Sequence, residues 1–287
     1  MGHHFYVEDT WFYNTLGCYE FEERCEMAKE LGYEGIFFTI FTELGWKDVP
    51  KIKTVKERYG LEVSGVYVML NDPKDEEEIS KFINLIESIE GCSQINLAIV
   101  SNGEYENSDA KGDADAIKAL RRLLEVAEKH STIISLYSHI QCWMETVNDT
   151  IRLCQKIDHP LLKISFSSYH WTITDGKSLI PTIEKIKPHL SLVNICGIRV
   201  TKDDFRGYRE AVLDEGEIDP YPIYDAVRSA GFNGPIGVQG FGIAGDIYPK
   251  LERSLKLLKS MEKRHIEHPT WGKLRPDPLP LPSGADR

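Results

Sequence analysis

Short apolar runs alternate with amphipathic stretches along most of the chain. Residues 4–12 (HFYVEDTWF) read as a strand, and residues 19–33 (YEFEERCEMAKELGY) as a helix with Phe21, Cys25, Ala28 and Leu31 on one face. The pairing then repeats. Strands are expected in residues 35–40, 61–70, 94–100, 132–138, 161–167, 190–197 and 235–240. Helices are expected over 49–59, 75–89, 113–130, 145–157, 177–186, 221–230 and 246–264. An insertion separates the seventh strand from its helix. Eight strand–helix units of roughly 30 residues each predict an α/β fold, a (β/α)8 TIM barrel.

Several strand segments, such as QINLAIV and LEVSGVYVML, are almost continuously apolar, as parallel strands buried on both faces should be. Gly32 and Gly35, and again Gly231 and Gly234, follow helix ends, where a left-handed residue is favoured. An open doubly wound sheet is the competing architecture, but no GxGxxG follows the first strand. Residues 1–264 are read as a single barrel domain and residues 265–287 as a proline-rich tail. That tail favours extended backbone. It either packs on the barrel or a neighbouring subunit through Trp271 and Leu274, or stays disordered.

A hydrophobic fraction of 41% over 287 residues suffices for one barrel-sized core. The formal net charge of -11 argues against nucleic acid and anionic membrane as partners. No apolar run is long enough to span a bilayer. No basic segment followed by an apolar stretch opens the chain, so no secretory signal is visible, although a signal already removed is compatible with this. His3 and His4 are assigned no function. The six cysteines form no CxxC pair, which argues against a zinc knuckle or dithiol motif. Free thiols in a reducing compartment are expected, hence a cytoplasmic protein.

In such a barrel the chemistry sits at the C-terminal ends of the strands. That rule selects Glu8, Asp9 and Trp11 after strand 1 and Tyr67 on strand 3. It selects Tyr137, His139, Trp143 and Glu145 from LYSHIQCWMET, and Ser167, His170 and Trp171 from SSYHW. Strand 7 supplies Asn194 and strand 8 Gln239. Histidines, aromatics and amides at one mouth suit a polyol, bound by stacking and by paired donors and acceptors.

The order of elements, together with LGYEGI, LYSHIQCWMETVNDTIRLCQKIDHPLL and AGFNGPIGVQGFGIAGD, resembles the sugar phosphate isomerase/epimerase family, the xylose isomerase-like TIM barrels. The resemblance spans roughly Phe5 to Arg264. It implies one divalent metal held by a Glu on strand 5, an Asp on strand 6, a His on strand 7 and a Glu on strand 8. It also implies a strand-6 motif of the form F-D-T-x-H. Here that motif reads FSSYH: Ser167 stands at the Asp position and His170 at the histidine. Tyr137, Asn194 and Gln239 stand at the other three ligand positions. All four are neutral and poor ligands, so no metal is expected there. The alternative is a relocated Mn, Zn or Mg site built from His139 and His170 with Glu145 or Asp9.

His139 and His170 are the candidates for acid–base work, because an imidazole titrates near neutrality; otherwise they are hydrogen-bonded residues of the mouth. Glu145 is either a base or a carboxylate favoured by the start of a helix. Trp143 and Trp171 either stack on a sugar or cover the core. Tyr137, Ser167, Asn194, Gln239, Asp9 and Tyr67 are expected to hold substrate hydroxyls. The loop GVQGFGIAGD invites a phosphate, but Asp246 would put its own charge at the anion site. EGEIDP (215–220) is either a lid or a connection. The expected function is a sugar isomerase, epimerase or related lyase acting on an unphosphorylated sugar or keto-sugar without the usual metal. A non-catalytic sugar-binding barrel is the alternative. An endonuclease-like role would need several metals and a basic face. The resemblance and the tail together suggest a homo-oligomer.

Overall fold

A computed structural model describes residues 4–40, 42–202 and 205–274, with Phe205 described by its backbone alone. Eight parallel strands close into a barrel: β1 (Phe5–Glu8), β2 (Gly35–Thr39), β3 (Glu62–Leu70), β4 (Gln94–Ile99), β5 (Ile133–Tyr137), β6 (Leu162–Ser167), β7 (Leu190–Ile195) and β8 (Ile236–Val238). Each pairs with its sequence neighbour, and β1 pairs with both β2 and β8 to complete the ring. The (β/α)8 reading of the sequence therefore holds. No helix among the described residues is long and apolar enough to cross a membrane.

Two-residue alternation divides each strand between two layers. Phe5, Val7, Ile164 and Phe166 face outward and join the large cluster packed under the helices. Tyr6, Phe37, Tyr67, Ala98, Tyr137 and Leu192 form a separate cluster inside the barrel. Tyr6 reaches across the interior, and its hydroxyl donates to Asn194 Oδ1 on β7. A Cβ at Gly237 would lie 2.1 Å from the Tyr6 ring, so the crossing requires glycine at that position.

Gly32 and Gly231 take left-handed φ of +87° and +90° after their helices. Gly35 and Gly234 have ordinary φ and are instead places of close packing. The expected helix over 49–59 is a 3-10 segment (Val49–Thr54) followed by a short α-helix (Val55–Tyr59). An additional helix, Glu43–Asp48, precedes them. β1 stops at Glu8, and Asp9–Phe12 forms a 3-10 turn.

Within SSYHW, Ser167 ends β6 as expected, and Ser168–Trp171 open helix Ser168–Thr174. The Ser167 hydroxyl accepts from the His170 N–H at 3.4 Å and so caps it. The insertion after β7 is an antiparallel hairpin, Gly197–Val200 with Tyr208–Ala211. EGEIDP is a connection bracing that hairpin: Glu217 N donates to Ile198 O at 2.9 Å and Glu217 Oε2 accepts from Val200 N at 2.7 Å. The last helix runs past Arg264 to Glu267. Trp271 then stacks on His268 with centroids 3.6 Å apart, while Leu274 is exposed. The remainder of the proline-rich tail lies outside the described residues.

Arg24 is buried beside the C-terminal ends of β1 and β2 between two carboxylates. It donates to Asp9 Oδ2 at 2.7 Å and to Asp48 Oδ2. Asp9 Oδ1 also accepts from the N–H and hydroxyl of Thr39, at 2.9 and 2.7 Å. Removing one partner of such a set strands buried charge. Arg24→Met is therefore expected to lower stability by about 3–5 kcal/mol, measured by urea unfolding at pH 7. A loss below 1 kcal/mol would contradict this account.

Candidate active site

A cavity of about 380 Å³ opens at the C-terminal ends of the strands, within the range typical of small-molecule sites. Six sequence-selected residues line it: Glu8, Tyr67, Tyr137, His139, His170 and Gln239. The ring planes of His139 and His170 meet at 43° with centroids 4.1 Å apart, and Tyr137 lies edge-on to His170 at 5.3 Å. His139 Nδ1 is 2.6 Å from the Ile140 carbonyl. A carbonyl only accepts, so Nδ1 carries the proton and Nε2 the lone pair. Burial lowers the pKa of His139, opposed by that bond. Burial and then the neighbouring His139 push His170 well below the ordinary imidazole value. Both rings are therefore neutral at pH 7. His170 Nδ1 has no hydrogen-bond partner among the described residues.

Two carboxyls also line the cavity: Glu8, at the end of β1, which the strand-end rule selected without a role, and Glu210, on the inserted hairpin, which sequence reasoning did not select. β1 and β5 stand four places apart in the ring of eight, so Glu8 faces the wall that carries His139. Glu210 Oε1 accepts from Gln239 Nε2 at 2.8 Å and Oε2 from Phe241 N at 2.7 Å. Burial nevertheless pushes the Glu210 pKa up to about 7, against those two hydrogen bonds. Glu8 is raised well above the carboxylate range by burial, then by the charges of Glu210 and Asp9. Thr10, Thr39, Tyr169, Arg209 and Phe241 complete much of the lining.

The other selected residues lie elsewhere. Asp9 is locked to Arg24 and Thr39, because it follows the inward-facing Glu8 by one residue and so leaves the barrel interior. Glu145 accepts from Gln141 N at 3.1 Å, Asn107 Nδ2 at 3.0 Å and Arg206 Nη2 at 2.9 Å. It shapes the loop that carries Gln141, outside the cavity. Trp143 is buried, with its indole N–H on the Asp109 carbonyl at 2.8 Å. Trp171 packs on Phe166 in the outer layer. Both tryptophans belong to the core. Ser167 and Asn194 face inward below the cavity lining.

The alternation of β1 would have favoured Glu8 over Asp9. Glu210 had only a faint signal, an isolated acid in an insertion whose partner strand is set by tertiary structure.

The four positions where the resemblance implies metal ligands hold one neutral network. Tyr137 Oη and Ser167 Oγ both donate to Gln239 Oε1, at 3.4 and 2.7 Å, and Gln239 Nε2 donates to Glu210 Oε1. Asn194 Oδ1 is taken by Tyr6. These side chains carry no charge and direct their polar atoms at one another, so they do not fit a divalent cation. Among the described residues no group of three His, Cys, Asp or Glu side chains could hold a metal ion.

Glu210 gives a stability prediction. Its folded pKa of about 7 lies above the unfolded value of 4.5. The stability it contributes is thus fully present below pH 4.5 and is lost as pH rises to about 7, on the order of 3 kcal/mol. Wild type should lose more melting temperature than Glu210→Gln between pH 5 and pH 8. Equal losses in scanning calorimetry would mean that Glu210 ionises normally.

The family model described as "Xylose isomerase-like TIM barrel" matches residues 25–262. No curated protein matches the chain in sequence. Among solved structures, an L-ribulose 3-epimerase superposes with a TM-score of 0.75 at 12% identity, over 97% of this chain and 100% of that one. The 3-keto-D-glucoside 4-epimerase of E. coli gives 0.67 at 16%, over 89% and 98%. A probable 3-DHS dehydratase of Bacillus anthracis gives 0.69 at 16%, over 89% and 98%. At these identities the likeness establishes the fold, and with the family match it places the chain: it belongs to the xylose isomerase-like TIM barrel family.

Proposed function

We propose that the barrel is a sugar isomerase or epimerase, or a related lyase, acting on an unphosphorylated sugar or keto-sugar. It moves protons on the carbon beside a carbonyl, without a divalent ion at the family's usual positions. The observation that carries this reading is one cavity lined by two neutral imidazoles and two buried carboxyls. Groups whose surroundings separate their protonation states are what acid–base chemistry needs. Epimerases and a dehydratase among the structural neighbours accord with it.

Glu210, titrating near 7, is the base. Its carboxylate takes the proton from carbon, the C–H electrons form the enediol double bond, and the carbonyl oxygen takes a proton from Glu8. Burial and the neighbouring carboxyls make Glu8 hold its proton to higher pH than an ordinary carboxylate, which suits it to that donation. His139 Nε2 and His170 hold substrate hydroxyls and are placed to relay a second proton. The rings of Tyr67 and Tyr137 give the sugar an apolar wall. A phosphate is disfavoured. Arg209 is the only Lys or Arg among the described lining residues, and Asp246 already accepts from Tyr248 N at 3.1 Å at the start of the last helix. All six cysteines are free, which accords with a cytoplasmic setting.

Proton NMR in D2O tests the reading, with D-fructose, D-allulose and L-ribulose as probes. Hydrogen on the carbon beside the carbonyl should exchange. The rate should rise with pH through about 7 as Glu210 ionises, and Glu210→Gln should lower it by about 10²–10⁴-fold. Binding without exchange in every case would establish the non-catalytic reading instead. Titration with Mn²⁺, Zn²⁺ or Mg²⁺ is expected to leave the melting temperature unchanged; a stoichiometric ion in elemental analysis would overturn the metal-free assignment.

A further inference from the structure

A second depression lies beside the cavity and is larger, about 610 Å³ against 380 Å³. It runs between the end of β3 and helix Glu76–Ser88. Met69 lines both spaces. It follows Tyr67 by two residues, so it shares the inward parity and stands nearer the rim. The groove therefore adjoins the mouth.

The two spaces differ in character. Aromatic and apolar side chains dominate the cavity, whereas the groove has an apolar floor and a polar rim. On the floor, the half-buried Trp46 stacks on Phe82, with centroids 6.3 Å apart and planes 8° from parallel. Lys81 Nζ sits 3.9 Å above the Trp46 ring. The rim carries Asn71, Asp72, Glu77 and Asn102.

The rim is held in place from behind. Glu78 Oε2 accepts from Asn71 N at 2.8 Å and Asp72 N at 3.1 Å, and its Oε1 from Asn71 Nδ2 at 2.6 Å. Asp75 caps the helix through the N–H groups of Glu77 and Glu78. Acceptors fixed before a ligand arrives lose little entropy when it binds.

An aromatic plate flanked by amide and carboxylate oxygens, with the Asn71 amide oriented by Glu78, complements a neutral hydroxylated ring, which offers one C–H face and several O–H donors. The carboxylates repel phosphate or uronate groups. Lys81 is exposed, so its ammonium can move off the indole and donate to a hydroxyl. We propose that this groove is a second saccharide subsite. The substrate is then a glycoside or disaccharide, with its reacting keto-sugar in the cavity and its next neutral unit against Trp46. This inference rests on the sugar reading of the cavity.

The test is calorimetric titration of the whole protein with D-glucose and D-fructose against cellobiose, maltose, lactose and sucrose. At least one disaccharide should bind ten-fold or more tightly than its parent monosaccharides. Trp46→Ala should bring that ratio close to one while a monosaccharide still binds, and the surface variant Lys81→Ala should reduce the ratio without risk to the fold. His170→Ala should weaken both classes of sugar. Disaccharides no tighter than monosaccharides, or a ratio unmoved in both groove variants, would overturn the subsite and leave the cavity reading intact. Failure of every sugar to bind would overturn both.

Discussion

The closure of eight strands into a ring, with side chains alternating in and out, is the constraint on which the rest of the molecule depends. It admits only every second residue of a strand to the interior and requires those residues to fit together without voids. Tyr6 spans to Asn194 because Gly237 yields the space. Above that layer, Ser167 donates to Gln239, and Gln239, Glu8 and Tyr137 line the cavity. The mouth therefore combines groups from distant points in sequence whose shared property is parity and height on their strands.

Much of this was legible from the chain alone, because period and strand ends are local signals. The eight units follow from apolar runs and amphipathic spacing. Tyr137, His139, His170 and Gln239 follow from the rule that chemistry sits at the C-terminal ends. What escaped was non-local. Glu210 enters the mouth only because Tyr208–Ala211 folds back on Gly197–Val200, and nothing in residues 197–211 alone fixes that register. Trp143 and Trp171 resemble sugar platforms in sequence, but each is turned toward the helical layer by the short segment that carries it. Glu145 looks like a free acid until Gln141, Asn107 and Arg206 converge on it. Asp9 differs from Glu8 by one residue, which in a strand is the difference between the two faces.

The two buried carboxyls and the neutral network are two halves of one electrostatic arrangement. A carboxylate beside a cation is held ionised, whereas one buried without a cation retains its proton to higher pH. Glu8 and Glu210 are of the second kind. Gln239 links Glu210 to the strand ends by accepting from Ser167 on one side and donating to Glu210 on the other. A carboxylate at position 239 could not make that donation, and its charge would face Glu210 across 2.8 Å. Relief would require a shared proton or a metal ion between them. A ligand carboxylate with its cation is thus one self-consistent way to build this mouth. An amide at 239 with a proton-bearing acid on the hairpin is another. The residues at 137, 167, 194 and 239 are neutral together, as the second arrangement requires.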